Sequence, residues 1–113
     1  MDKGTHEASP PPAAWASDAL RDVAAERRRQ VEVEGWTPEH DDQHGEHSMS
    51  IAAACYALAA TPALEVHTVH LLDLWQWTGW SASWFKPKDR RQNFVRAAAL
   101  LLAQIEMFDR KQK

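Results

Sequence analysis

Four carboxylates and three histidines fall within nine residues, Glu39-His40-Asp41-Asp42-Gln43-His44-Gly45-Glu46-His47. His40 and His44, at i,i+4, can share a helix face with Asp41 or Glu46 nearby. Imidazole and carboxylate together suit Zn²⁺, Mn²⁺ or Fe²⁺. Glu39, His40, Asp41, Asp42, His44 and Glu46 are therefore the candidate metal ligands. The His-Glu-x-x-His spacing is absent, however, and carboxylates at a helix start are favoured by the macrodipole without any metal. Capping and solvation is the first reading of this turn and a metal the alternative.

A second chemistry lies downstream. Trp84-Phe85-Lys86-Pro87-Lys88-Asp89-Arg90-Arg91 sets aromatic faces directly before a basic helix start. From Lys86 to Arg96 five cations face one anion, whereas Glu39 to Glu46 carries four negative charges. A helix N-terminus presents free N–H groups to a phosphate while a base stacks on an indole. Trp80 and Trp84 are the candidate stacking residues, and Lys88, Arg90, Arg91 and Arg96 the candidate phosphate contacts, of a nucleotide-type ligand. The competing reading makes the tryptophans a core and the cations a solvated face.

Other chemistries find little support. Ser48, Ser50, Ser81 and Ser83 lack a nucleophile-elbow context, Cys55 sits in an apolar run where it is expected to be inert, and no phosphate-binding glycine loop occurs. His67 and His70 read as ordinary turn or core histidines. With 113 residues and a formal charge of −3, wholesale binding to duplex DNA, which favours a basic face, is not expected. No apolar run reaches the length of a membrane span and no signal-peptide pattern opens the chain, so a cytoplasmic location and no membrane partner are expected.

The elements that must position these groups read as all-α: a single helical domain over 15–113 behind an N-terminal tail over 1–14. Ser17 is the expected N-cap of a helix over 17–34 in which Leu20, Val23, Ala24, Arg27 and Val31 recur at helical spacing, with Glu26-Arg27-Arg28-Arg29 and Glu32 read as a solvated flank. Gly35 is expected to end it, with Trp36 packing back on Val31. Thr37 and Pro38 read as a fresh N-cap and first helical position. An alanine-rich helix is expected over 46–60, its small residues leaving surface for a homo-oligomer. The last helix, over 89–110, has Asp89 and Gln92 as a capping box and the stripe Phe94, Ala98, Leu101, Ile105 and Phe108, which is expected to face a core. The stretch 63–87, with its tryptophans around Gly79, fits helix and strand equally and reads as an irregular connection.

Glu26-Arg27-Arg28-Arg29-Gln30, Gly35-Trp36, Glu39-His40-Asp41-Asp42 and the Ala-Ala-Ala-Cys-Tyr-Ala run, together with the Lys86 to Arg91 segment and Ile105-Glu106-Met107-Phe108-Asp109-Arg110, resemble a small uncharacterised protein family of phages and prophages. More distantly, the Glu-Arg-x-Arg-Gln start and the Ile-Glu-x-x-Asp-Arg ending look like MazG-like all-α nucleoside triphosphate pyrophosphatases. That family implies Mg²⁺ held by Glu-Glu-x-x-Glu on one helix and Glu-x-x-Asp on another. Here Glu46 stands alone before Ser48, and Asn93 and Arg96 occupy the region of the second acidic pair. The resemblance therefore implies a nucleotide-shaped cleft whose cations bind without turnover. Three functions follow: a sponge that sequesters a host immune nucleotide signal without hydrolysis or cofactor, a divergent Mg²⁺-dependent pyrophosphatase using Glu39, Asp41, Asp42 and Glu46, and a protein-binding inhibitor of host defence such as an anti-CRISPR.

Overall fold

The computed structural model describes residues 17–43, 47–61 and 68–112. The expected tail over 1–14, together with His44, Glu46 and His67, lies outside the described residues. Among those described there are five α-helices and no strand: α1 (Asp18–Glu32), α2 (Pro38–Gln43), α3 (Ser48–Ala59), α4 (Thr68–Trp75) and α5 (Arg90–Lys111). The all-α class therefore holds. Within the undecided stretch 63–87, the described part from residue 68 on forms α4 followed by two single-turn 3₁₀ segments, Gln76–Thr78 and Ala82–Trp84.

Local chemistry explains the helix ends. The Ser17 hydroxyl accepts the Leu20 N–H at 3.2 Å, the Thr37 hydroxyl accepts the His40 N–H at 3.1 Å, and the Asp89 carboxylate accepts the Gln92 N–H at 2.9 Å. Each satisfies an amide that the first helical turn leaves without an intrahelical partner. Gly35 takes φ of 78°, a left-handed conformation that glycine adopts without steric cost. The chain turns there so that the Trp36 N–H reaches the Gln30 carbonyl at 2.9 Å, and the Trp36 ring lies against Trp80 and Trp84.

α3 is the central element, packed on α5 most extensively and also on α4 and the first 3₁₀ turn. Several of its small residues are used inside the chain: Ala52, Ala53 and Cys55 are buried along the helix and Ala60 at its C-terminal cap, while Ala54 stays exposed. Small side chains on both partners let α3 approach the Ala97, Leu100 and Ala103 face of α5 closely, with Met107 and Tyr56 filling the ends. α1 and α2 also pack against α5.

Two expectations are corrected here. The stripe of α5 does not face the core: Phe94, Leu101, Ile105 and Phe108 are 44 to 60% exposed, and Asn93, Ala97, Ala99, Leu100, Ala103 and Met107 are buried instead. A heptad pattern marks a face that gains by leaving water but not the surface that covers it. Within this chain the close fit of alanines on α3 and α5 takes the opposite face inward. In α1, Leu20 is exposed while Arg27 and Gln30 are buried, so the inner face of that helix is polar.

Candidate functional site

Trp36, Tyr56, Trp75, Trp80, Trp84 and Phe85 form one connected aromatic cluster. Trp75, fully buried, packs on Phe85 at 4.9 Å between ring centroids and on Trp80 at 5.8 Å. Its indole N–H donates to the Ser81 carbonyl at 3.0 Å. Trp80 is held from three sides by Trp36 at 5.3 Å, Trp75, and Trp84 at 5.8 Å. The turn that carries it is built by Thr78, whose hydroxyl donates to the Trp75 carbonyl and accepts the Trp80 N–H. Ser48 at the start of α3 donates to the Thr78 carbonyl at 2.7 Å, and Gly79 at φ of 77° lets the chain reverse. Trp80 is thus a core residue, whereas Trp84 is half-buried at the edge of the cluster. The exposed tryptophan of this segment is Trp77, 77% accessible, which residue spacing alone did not single out.

The basic residues diverge. The Lys88 peptide is clasped by buried Asn93, whose side-chain oxygen accepts the Lys88 N–H at 2.7 Å and whose amide donates to the Lys88 carbonyl at 3.1 Å. Arg90 donates to the Ala60 carbonyl at 2.9 Å, the position where a cation best satisfies the end of α3, and its guanidinium lies over the Phe94 ring. Arg91 pairs with Asp22 at 2.8 Å. Arg96 donates to the Lys86 carbonyl and stands 5.8 Å from the centre of the Tyr56 ring. Arg91 and Arg96 do come together, joined by Arg29, around an open groove of about 390 Å³ between α1 and α5 that Asp22, Ala25, Glu26, Gln92 and Val95 complete. Arg29 itself is gripped by both oxygens of Glu26 and by Glu34, which raises its pKa further and fixes its orientation.

The acidic turn splits across α2. Asp41 points inward and is almost wholly buried; Oδ1 lies 3.3 Å from His40 Nδ1, and Oδ2 has only a longer approach, 3.7 Å, from the Arg27 guanidinium. Burial pushes the Asp41 carboxyl above its ordinary pKa, against the opposing pull of His40 and Arg27. Arg27 also donates to Glu106 at 2.9 Å and to the Trp36 carbonyl at 3.3 Å, which ties α1, α2 and α5 together. Asp42 turns outward to Arg110 at 2.8 Å, which lowers its pKa, and Glu39 is exposed. The His40 ring sits about 6 Å from both Trp80 and Trp84. Among the described residues, no three His, Cys, Asp or Glu side chains converge as a metal site would require.

No protein-family model matches this chain, and no curated protein or solved structure matches it significantly. The site must therefore be read from its own chemistry. The Arg27–Asp41–Glu106 network is the feature that sequence reading missed, having placed the charged residues of α1 on a solvated flank. Its signal was present, because Arg27 falls in the apolar register of α1 with Val23 and Val31. Among the described residues, no helix is long and apolar enough to cross a membrane.

Proposed function

We propose that this chain binds a small phosphate-bearing ligand of nucleotide type without hydrolysing it, in the groove between α1 and α5. The observation that carries this reading is the convergence of Arg29, Arg91 and Arg96 on one open groove of about 390 Å³ beside the start of α5. Arg29 is held by Glu26 and Glu34 and contributes charge, while the guanidiniums of Arg91 and Arg96 are the planar, fork-shaped donors that match phosphate oxygens. The Arg91–Asp22 pair is roughly half exposed on both partners, so a phosphate can displace it at small cost. Trp80 is buried and Trp84 packs on Trp36, Trp80 and His40, so neither lines the groove and the phosphate contacts carry the reading. Lys88 and Arg90 contribute long-range charge.

The pyrophosphatase reading requires Glu39, Asp41, Asp42 and Glu46 to converge on Mg²⁺. Asp41 is committed inward to His40 and Arg27, and Asp42 outward to Arg110, so the arrangement favours a binder over a catalyst. The resemblance to phage proteins supplies the biological setting, a sponge for a host immune signal. A protein-binding inhibitor is the second reading, with exposed Trp77 as its anchor.

Calorimetry against nucleoside triphosphates, cyclic dinucleotides and ADP-ribose derivatives, followed by chromatography of the ligand, tests the proposal. A charge-assisted contact contributes about 1.5–3 kcal/mol, so Arg91→Ala or Arg96→Ala is expected to weaken binding at least about tenfold, with the ligand recovered intact. Release of pyrophosphate with Mg²⁺, abolished by Asp42→Ala, would establish the catalyst instead. Absence of binding across the panel would favour the protein-interface reading.

A further inference from the structure

The outer face of α5 carries the largest run of exposed apolar side chains in the described structure. Phe94, Leu101, Ile105 and Phe108 are 44, 48, 56 and 60% accessible, with Ala98 partly exposed between the first two. The spacing of 4, 3, 4 and 3 residues is that of a coiled-coil seam. It spans about 21 Å along the helix at 1.5 Å per residue. A continuous stripe of this kind on a small domain marks an association surface. The residues on the opposite face of α5 are already consumed by the core, so apart from the Arg90 guanidinium over Phe94 the described residues leave the stripe open.

We infer that the occupant is α5 of a second copy of this chain, packed antiparallel. Two observations select that partner and that direction. The stripe is close to symmetric about its own centre, because Phe94 and Phe108 each lie seven residues from Leu101. A two-fold axis through Leu101 therefore sets Leu101 on Leu101 and each Phe94 on the Phe108 of the other copy. Small Ala98, three residues before Leu101, then lies within one residue of the level of large Ile105, four residues after it, so the two seams interdigitate, as a self-complementary isologous contact requires.

Charge selects the same arrangement. Arg90 and Arg91 stand exposed at the start of α5, Arg90 donating to the Ala60 carbonyl and Arg91 in a half-exposed pair with Asp22 that leaves it open to a second carboxylate, and exposed Asp109 stands on the same side of the helix as Arg91 at its far end. The other charges of that end are engaged elsewhere, Glu106 with Arg27 and Arg110 with Asp42, while Lys111 lies on the opposite edge at a groove lined by His47 and Ser50. Antiparallel pairing brings each Arg91 towards the Asp109 of the second copy and opposes the helix dipoles favourably. Parallel pairing would stack four arginines at one end. Arg91 borders both this seam and the groove between α1 and α5, but the inference rests on the stripe and stands independently of any ligand.

Light scattering of the full chain at micromolar concentration is expected to give twice the chain mass, and Leu101→Glu or Ile105→Lys is expected to halve it with the circular dichroism unchanged. Both positions are exposed in the single copy, so the fold itself is spared. Direction is read by mixing a Phe94→Cys chain with a differently tagged Phe108→Cys chain under mild oxidation. Cross-links between the two tags are expected, with few within either; Cys55 is buried and does not compete. A wild-type monomer overturns the inference, as does a dimer that survives Leu101→Glu. Self-cross-linking of Phe94→Cys, or a dimeric mixture without the mixed product, overturns the antiparallel pairing.

Discussion

Trp75, Trp80 and Phe85 lie almost wholly out of water around the side of α3, while Phe94, Leu101, Ile105 and Phe108, only a few turns further along the chain, keep about half of their surface in it. Both regions are rich in large apolar side chains, so hydrophobicity does not separate them. What separates them is whether the chain supplies a complementary surface. The first has Tyr56, Trp36 and the half-buried Trp84 closing around it, and hydrogen bonds from Thr78 and Ser48 that satisfy the turn between its tryptophans. The second has its own helix turned the other way, because alanine-lined α3 fits the alanine-lined face of α5. One region therefore stabilises the single copy, and the other is the face we propose for association.

The sharpest test of this division is Trp75→Ala, which removes a fully buried indole and its bond to Ser81. It is expected to cost about 3–5 kcal/mol in urea unfolding monitored by circular dichroism. Neighbouring residues on α5 then give a matched pair. Leu100→Ala, at 1% exposure, is expected to cost about 2–4 kcal/mol, and Leu101→Ala below about 1 kcal/mol in the dissociated chain. Equal costs at the two positions would break the comparison.

Arg27→Met probes the polar side of α1. Removing one partner leaves Asp41 buried without its guanidinium, a loss of roughly 3 kcal/mol in the same unfolding measurement. Asp41 itself supplies a pH dependence of definite sign. Burial raises its folded pKa above the ordinary 3.8, so the folded state holds this proton more tightly than the unfolded chain does. Its stabilising contribution is complete below the ordinary value and is lost as pH rises through the folded pKa. Wild type is therefore expected to lose melting temperature relative to Asp41→Asn from about pH 4 upward. A relative gain over that range would mean that the pull of Arg27 and His40 outweighs burial. The smallest expected effect is at Cys55, whose thiol is buried and pushed up to about 11. It should resist alkylation at neutral pH in the native chain and react on unfolding.

Much of the fold was legible in residue order because capping and turn chemistry are local. Ser17, Gly35, Thr37-Pro38 and Asp89-Gln92 placed helix ends to within two residues, since a side-chain oxygen two or three positions from an amide, or a glycine at a left-handed turn, acts without help from distant parts of the chain. The stretch 63–87 was not legible, because eight residues of α4 with apolar groups on several sides carry no distinctive period. The acidic turn was legible as a concentration of charge but not as a site. Asp41 and Asp42 are adjacent in sequence, yet one turns to Arg27 and the other to Arg110.

By itself, then, the sequence determined the helical class, the helix termini and which residues prefer to leave water. Tertiary structure alone decided which preferences were met: Trp36, Trp75 and Trp80 went inside while Trp77 did not, the heptad stripe of α5 stayed outside, and Arg27 was drawn in to Asp41. The physical reason is that local hydrogen bonds and backbone preferences are fixed by neighbours in the chain, whereas burial depends on complementary surface. Complementary surface is supplied by residues tens of positions away, or by another copy of the chain.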